Sequence, residues 1–184
     1  MIRLLAALMS LAFAAAPAGA QVWSAQTLAR ACPAQPGETA PPDFTAPGCV
    51  ETPYWRVDPQ NRTIWIEAII TLDAAPDPLS GPYGLYLSGK MAVEASVNGE
   101  PIGANGRPGF SAAAETPGRM DSVLFLPAQI LRAGENRVVL KASGHHSLID
   151  LSAPVHTIAA APYGDPRRTL LQGYQASLAM FGVF

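Results

Sequence analysis

Apolar and polar residues alternate in short runs between residues 54 and 162, which is the pattern of half-buried strands rather than of helices. The clearest run, residues 63–72, is rich in β-branched and aromatic side chains. Further runs predict strands at 82–88, 91–97, 100–103, 120–126, 137–142, 146–151 and 155–160. Seven or eight short strands joined by turns indicate an all-β protein with a β-sandwich fold.

Turn-forming residues separate these runs. Asn98-Gly99 predicts a tight hairpin turn, because both residues take positive φ at little cost. Residues 127–131 predict a short turn of helix, and residues 104–118, with three glycines and two prolines, predict a long loop. Long loops in compact domains are often functional, so we expect a binding site near this one.

The first 20 residues have the pattern of an export signal. Arg3 is the only charged residue in this stretch, an apolar run follows it, and Ala18-Gly19-Ala20 is a small-residue cleavage pattern. The mature chain is therefore expected to begin near Gln21 and to lie on the periplasmic side of the inner membrane. Its 164 residues are enough for one domain with a core of its own.

The segment 166–184 is the second unusual stretch, since residues 169–184 carry no charge. Asp165 and Pro166 predict a helix start, with the aspartate as its cap. One interpretation is the beginning of a transmembrane helix that would continue in sequence after Phe184, because 16 residues are fewer than the roughly 20 that span a bilayer. The alternative is an amphipathic helix packed on the sandwich through Leu170, Leu171, Tyr174, Leu178 and Phe181.

Composition and charge exclude some partners and favour others. The formal net charge is -2, so there is no basic field to gather nucleic acid. Abundant proline and glycine, 18 and 16 residues, agree with a turn-rich β protein. The two cysteines, Cys32 and Cys49, are expected to form a disulfide in the oxidising compartment, closing an irregular N-terminal segment over residues 21–53.

Part of the chain resembles a known fold family. The runs VEASVNGEPIG, MDSVLFLP and AQILRAGENRVVLKAS, within residues 93–143, are similar to the galactose-binding-domain-like jelly roll. This resemblance implies a jelly-roll-like β-sandwich over residues 54–162, with an immunoglobulin-like sandwich as the alternative. The apolar helix expected from residues 166–184 follows the sandwich. The order of signal peptide, sandwich and apolar segment is also similar to the periplasmic half of bacterial sensor histidine kinases and diguanylate cyclases. That likeness implies a kinase or cyclase output in sequence after Phe184.

Candidate binding residues follow from the chemistry of sugar-like ligands, which are held by aromatic faces and a few planar polar groups. The loop side offers such groups at Asn105, Arg107, Phe110, Glu115 and Arg119. Structural roles are open for each: surface ion pairs for the two arginines, and a core anchor for Phe110. Trp55 and Trp65 are predicted to be core residues.

Catalytic and metal-binding patterns are weak. His145, His146, Asp150 and His156 are the best set, but adjacent residues of a strand point to opposite faces, so both neighbouring histidines cannot hold one ion there. Ser111 lacks the second glycine of a nucleophile elbow, and Glu115 with Asp121 is no more distinctive than any other acid pair as a glycosidase dyad. We therefore expect no cofactor, no metal and no catalysis within these residues.

The function predicted from the sequence is that of an extracytoplasmic ligand-sensing or interaction domain of a membrane-anchored signalling protein, with a histidine kinase as the first choice of output. The expected partner is a small molecule such as a carbohydrate, or a periplasmic protein, and homodimerisation stays open. The alternative is a stand-alone exported carbohydrate-binding or adhesion domain, and the third option is a small secreted hydrolase.

Overall fold

The computed structural model describes residues 21–146 and 150–170 of the chain. Within those ranges the protein is built from antiparallel strands, short 3-10 turns and the first turns of a helix at 166–170. The strands are β1 (Trp23–Ser24), β2 (Leu28–Pro33), β3 (Val50–Pro53), β4 (Thr63–Leu72), β5 (Tyr83–Gly89), β6 (Ala92–Val97), β7 (Glu100–Asn105), β8 (Asp121–Leu126), β9 (Gly134–Ser143) and β10 (Val155–Pro162). The 3-10 turns are Tyr54–Arg56, Pro78–Ser80 and Ala128–Ile130.

Two antiparallel sheets pack face to face. The smaller sheet has the order β1-β10-β5-β8, and the larger has the order β3-β2-β4-β9-β6-β7. When β2 and β3 are set aside, two four-stranded sheets remain, β1-β10-β5-β8 and β4-β9-β6-β7, which is the strand order of a jelly roll. The predicted all-β, jelly-roll-like sandwich is therefore confirmed, and the hairpin β2–β3 is an addition at one edge of it.

The core lies between the sheets and explains the alternation in the sequence. Successive residues of a strand point to opposite faces, so every second side chain is buried in the interior. The inward residues of β4 and β5 include Ile66, Ile70, Leu85 and Leu87, all of which are fully buried. The predicted run 63–72 matches β4 in full, and the Asn98-Gly99 turn has the positive φ angles expected of it, 53° and 91°.

Two local predictions were wrong. The described residues of the expected strand 146–151 are in a turn or irregular, because the Gln60 side chain binds the Leu151 backbone at both its N–H, 2.7 Å, and its carbonyl, 3.0 Å. Residues 147–149 lie outside the described residues. Trp55 is 39% exposed rather than buried, because the 3-10 turn at Tyr54–Arg56 ends the strand pattern and directs Tyr54 to the core instead.

The N-terminal segment 21–53 supplies three strands and a long connection. Cys32 at the end of β2 is bonded to Cys49 just before β3, which confirms the predicted disulfide. The connection between them packs on the outer face of the larger sheet, where Phe44 and Ala34 contact Trp65 and Val139. Trp65 is therefore buried, but in this outer cluster and not between the two sheets.

The C-terminal helix begins as the sequence predicts. The Asp165 side chain accepts a hydrogen bond from the Arg167 N–H, 3.0 Å, and Pro166 occupies the first turn. The rest of the predicted apolar stretch, residues 171–184, lies outside the described residues, as does the signal segment 1–20. Over the ranges that are described, no helix has both the length and the apolar character that crossing a bilayer requires.

Candidate functional site

The added hairpin β2–β3 creates a cleft at the edge of the sandwich. The smaller sheet ends at β1, which bridges to β4 through Ala25 and Ile70, whereas the larger sheet continues past β4 with two more strands. The overhanging strands leave a concave space of about 640 Å³ beside them. Its floor is formed by Ala31 and Ile64, which belong to the core, and by Val50 and Thr52 of β3.

The disulfide and the loop it closes hold the hairpin in place. Cys32 itself lines the cleft, next to Pro33 at the end of β2. On the other side of the sheet, the Glu38 carboxylate accepts hydrogen bonds from the Gln35 N–H, 2.9 Å, and from the Trp65 indole N–H, 3.0 Å. These two bonds, the backbone bond first, lower the pKa of Glu38 below its ordinary value. The loop is therefore fastened to β4 as well as to β3.

The segment 56–62 forms the charged wall of the cleft. Arg62 and Asp58 form an ion pair at 2.8 Å, and Asp58 also accepts hydrogen bonds from the backbone and side-chain N–H groups of Gln60, 2.9 and 3.0 Å. Burial raises the pKa of the Asp58 carboxyl, but the Gln60 bonds and Arg62 outweigh it, so the pKa lies below its ordinary value. Asp58 is thus an ionised and fully engaged group.

The side chains of two further wall residues, Arg56 and Asn61, have no hydrogen-bond or ion-pair partner among the described residues. Arg56 makes no ion pair or hydrogen bond with any other described residue, although it lines the cleft. The Asn61 amide likewise has no partner among the described residues, while its backbone is held at φ 56° by an N–H bond to the Gly144 carbonyl, 3.1 Å. A non-glycine residue at positive φ is a modest strain that the fold must enforce.

The aromatic end of the cleft is Phe110, at the tip of the loop between β7 and β8. Its ring is 40% exposed and lies 5.8 Å from the Lys141 ammonium, which also donates to the Glu38 carbonyl at 2.7 Å. The neighbouring Gly109 has no room for a side chain, since a Cβ there would lie 2.5 Å from the Ala114 carbonyl carbon. Phe110 is therefore carried on a tightly folded turn.

A buried polar cluster anchors that turn to the sheet. Glu115, only 7% exposed, accepts a hydrogen bond from the Ser143 hydroxyl and from the His145 N–H, 3.1 Å to each carboxylate oxygen. The Ser143 hydroxyl accepts in turn from the Gly109 N–H, 3.0 Å, and Thr63 donates to the Gly109 carbonyl, 2.7 Å. The position of Phe110 thus depends on Glu115.

The five residues selected from the sequence are not gathered in one place. Phe110 lines the cleft, and Glu115 lies behind it in the buried cluster. Asn105 uses its whole side-chain amide on the backbone of Arg119, with bonds of 2.7 and 2.9 Å. The side chain of Arg119 borders a separate hollow beside Asp121, and Arg107 is exposed on the loop.

Sequence reasoning missed the wall residues Arg56, Asn61 and Arg62, and it considered His145 only as a member of an acid-base or metal set. The feature of the sequence that could have indicated this wall is the concentration of charged and amide side chains in RVDPQNR, residues 56–62. The same composition is found in an ordinary polar turn. His145 lines the cleft, and its Nε2 is buried with no hydrogen-bond partner among the described residues. Such a group is costly to leave unpaired, by about 1–3 kcal/mol.

The remaining acid-base candidates do not assemble. His146 lies within 3.0 Å of the Ala112 carbonyl, His156 is exposed on β10, and Asp150 is exposed. Within the described residues no three His, Cys, Asp or Glu side chains are grouped so as to hold a metal ion.

Comparison with known proteins adds no relative. No family model matches the chain, and neither the curated proteins nor the solved structures contain a significant match. The fold and the cleft together define a jelly-roll sandwich with a lateral cleft at an added, disulfide-closed hairpin. The chemistry of that cleft is the basis for assigning a function.

Proposed function

We propose that this chain is an extracytoplasmic ligand-binding domain and that the cleft beside β2–β3 is its binding site. The observation that carries the proposal is the construction of the cleft by a hairpin that the jelly-roll core does not need. A volume of about 640 Å³ suits a small ligand, since such sites span roughly 300–1,000 Å³. A disulfide at the cleft is compatible with an oxidising compartment outside the cytoplasm.

The lining favours binding of a sugar-like molecule over catalysis. Phe110 offers an aromatic face, and Arg56 and Asn61 offer planar groups with free hydrogen-bonding capacity, the combination that fixes polar ring compounds. Asp58 is the only carboxylate that lines the cleft among the described residues, and Arg62 and Gln60 already occupy it. A carboxyl that acts as general acid or base must reach the substrate with its proton, which this arrangement hinders, and the Nε2 atom of His145 is buried.

The wider proposal is that binding here serves sensing by a membrane-anchored signalling protein. Support comes from the continuity of the chain, because β10 leads through the Asp165 cap directly into the C-terminal helix. A ligand that prefers one arrangement of sandwich and helix would bias the two states by its difference in affinity for them. The resemblance to the galactose-binding-domain-like jelly roll and the histidine kinase output remain parts of this proposal.

A second candidate function is a stand-alone exported carbohydrate-binding or adhesion domain. The start of the helix favours it, because Thr169 and Leu170 border a hollow of about 260 Å³ together with Tyr86 and Ala159 of the smaller sheet. The helix therefore starts against the sandwich. Cell fractionation separates the two candidates, because the anchored protein is recovered with membranes and extracted only by detergent, whereas the stand-alone domain is recovered in the aqueous fraction.

Binding itself is tested by thermal-shift and calorimetric screens of mono- and oligosaccharides and cell-wall fragments against the purified full chain. Phe110→Ala is expected to weaken any binding found by about 5- to 30-fold, since aromatic stacking and apolar contact are worth about 1–2 kcal/mol. Phe125→Ala is the matched control, because Phe125 is 54% exposed but lies on β8, outside the cleft. Equal losses in both variants, or no ligand in the whole screen, would contradict the proposal.

A further inference from the structure

The cleft contains an excess of positive charge in a protein whose overall charge is negative. Its charged lining consists of Arg56, Arg62 and Asp58, and the last two neutralise each other at 2.8 Å. The chain as a whole carries a formal charge of -2. A local cation against an acidic background is a feature that selects an anionic ligand.

We propose that the ligand is an acidic sugar, a hexuronic acid or a short oligosaccharide that contains one, and that Arg56 binds its carboxylate. This inference rests on the proposed function of the cleft and names the class of its ligand. Arginine is suited to the role because its planar fork forms two parallel hydrogen bonds with a carboxylate.

The backbone that carries Arg56 is held firmly, as a specific anion contact requires. The Val57 N–H donates to the Tyr54 carbonyl, 3.1 Å, which closes the 3-10 turn on either side of Arg56. Val57 is itself fully buried in the core. The guanidinium is therefore presented from a fixed turn, although the side chain reaches into solvent.

The other groups of the cleft suit the rest of a sugar ring. Phe110 can cover the apolar C–H face of the ring, and the free Asn61 amide can both donate to and accept from its hydroxyls. His145 also lines the cleft, and its buried Nε2 has no hydrogen-bond partner within the described part of the chain, so a ligand hydroxyl that reached this atom would supply one. A simple carboxylate without a sugar ring can bind only to Arg56, so it lacks the contacts with Phe110 and Asn61.

The test is calorimetric titration of the purified full chain at low ionic strength with galacturonate and glucuronate, with galactose and glucose, and with succinate. We expect a uronate to bind at least 10-fold more tightly than its neutral sugar, because its carboxylate adds charge-assisted hydrogen bonds to Arg56. Arg56→Ala should remove that preference, so that the uronate and its neutral sugar bind to the variant with equal affinity. Arg56→Lys should retain part of it, since the charge stays but the fork is lost.

Arg119→Ala is the matched control, an exposed arginine that borders a different hollow. Unchanged unfolding midpoints would show that the Arg56 variants are folded. Equal affinity for uronates and neutral sugars would overturn the acidic-sugar inference while leaving the binding function in place. Succinate binding as tight as uronate binding would overturn the sugar part of it. No binding of any sugar to the wild-type chain would overturn the proposed function, and the inference with it.

Discussion

Replacement of Glu115 by alanine is the most direct test of how the cleft is held in shape. Glu115 is the acceptor for the Ser143 hydroxyl and the His145 N–H, and Ser143 is fully buried. A buried donor without an acceptor costs about 1–3 kcal/mol, and the partly buried His145 N–H costs less because water can reach it. Relief from burying a carboxylate offsets some of this loss.

We therefore expect Glu115→Ala to lower the free energy of unfolding by about 2–3 kcal/mol. For a chain of this size that corresponds to a fall in Tm of about 4–12 °C. Urea unfolding followed by tryptophan fluorescence measures the first quantity, and calorimetry the second. Glu115→Gln keeps the side-chain volume and one acceptor oxygen, so its loss should be smaller.

Glu94→Ala serves as the control, because Glu94 is exposed on β6 and surface substitutions usually change stability by less than about 0.5 kcal/mol. Ligand binding should also weaken in Glu115→Ala, since the Phe110 turn loses its anchor. If Glu115→Ala were as stable as Glu94→Ala, the buried cluster would not be what fixes the turn, and the reasoning would be refuted.

Three other predictions concern the hairpin, the wall and the smaller sheet. Replacing Cys32 and Cys49 by serine should cost about 3 kcal/mol of stability and abolish ligand binding, and a variant that keeps full affinity would argue against the hairpin as cleft wall. Asp58→Asn should destabilise the protein more at pH 7 than at pH 3 in urea titrations. Because the pKa of Asp58 is lowered in the folded protein, the ionised carboxylate contributes fully to the free energy of unfolding above the unfolded pKa of about 3.9. This contribution is lost as the pH falls through the folded pKa. An effect of Asp58→Asn that is equal at both pH values would contradict this prediction. Tyr86→Phe should lose about 1 kcal/mol, because the hydroxyl donates to the Pro162 carbonyl at 2.7 Å, and an unchanged unfolding midpoint would show that water replaces this bond.

The sandwich was predictable because its information is local. The alternation in residues 63–72 places Ile64, Ile66 and Ile70 on one face whatever the neighbouring strands are. Asn98-Gly99 determines a hairpin turn through backbone sterics alone. Where the pattern was not decisive, at residues 146–151, a distant side chain determined the outcome: Gln60 binds Leu151 from 91 positions away.

The cleft was not predictable because it depends on contacts that are distant in the sequence. Arg56 and Phe110 come together only because β2–β3 adds to the edge at β4 and the loop after β7 folds back over β9. The long loop was predicted as a loop, and it begins where β7 ends at Asn105, but polarity could not show that Glu115 turns inward. That orientation follows from the donors of Ser143 and His145, which no pattern around residue 115 reveals.

The 3-10 turn at Tyr54–Arg56 connects the cleft to the C-terminal helix. Arg56 lines the cleft, while Tyr54, two residues before it, packs against the core and borders the hollow that Thr169 and Leu170 also line. A ligand that binds Arg56 therefore acts on a turn whose other end, Tyr54, borders the same hollow as the start of the helix. Spatial proximity alone does not establish coupling, so the sensing proposal needs a measured response. We expect ligand to change hydrogen exchange of the β10 amides in the wild-type chain, and Tyr54→Ala to bind ligand without that change. An equal change in hydrogen exchange in Tyr54→Ala would exclude this turn as the connection between the cleft and the helix, because the Tyr54 side chain would then be dispensable for the response.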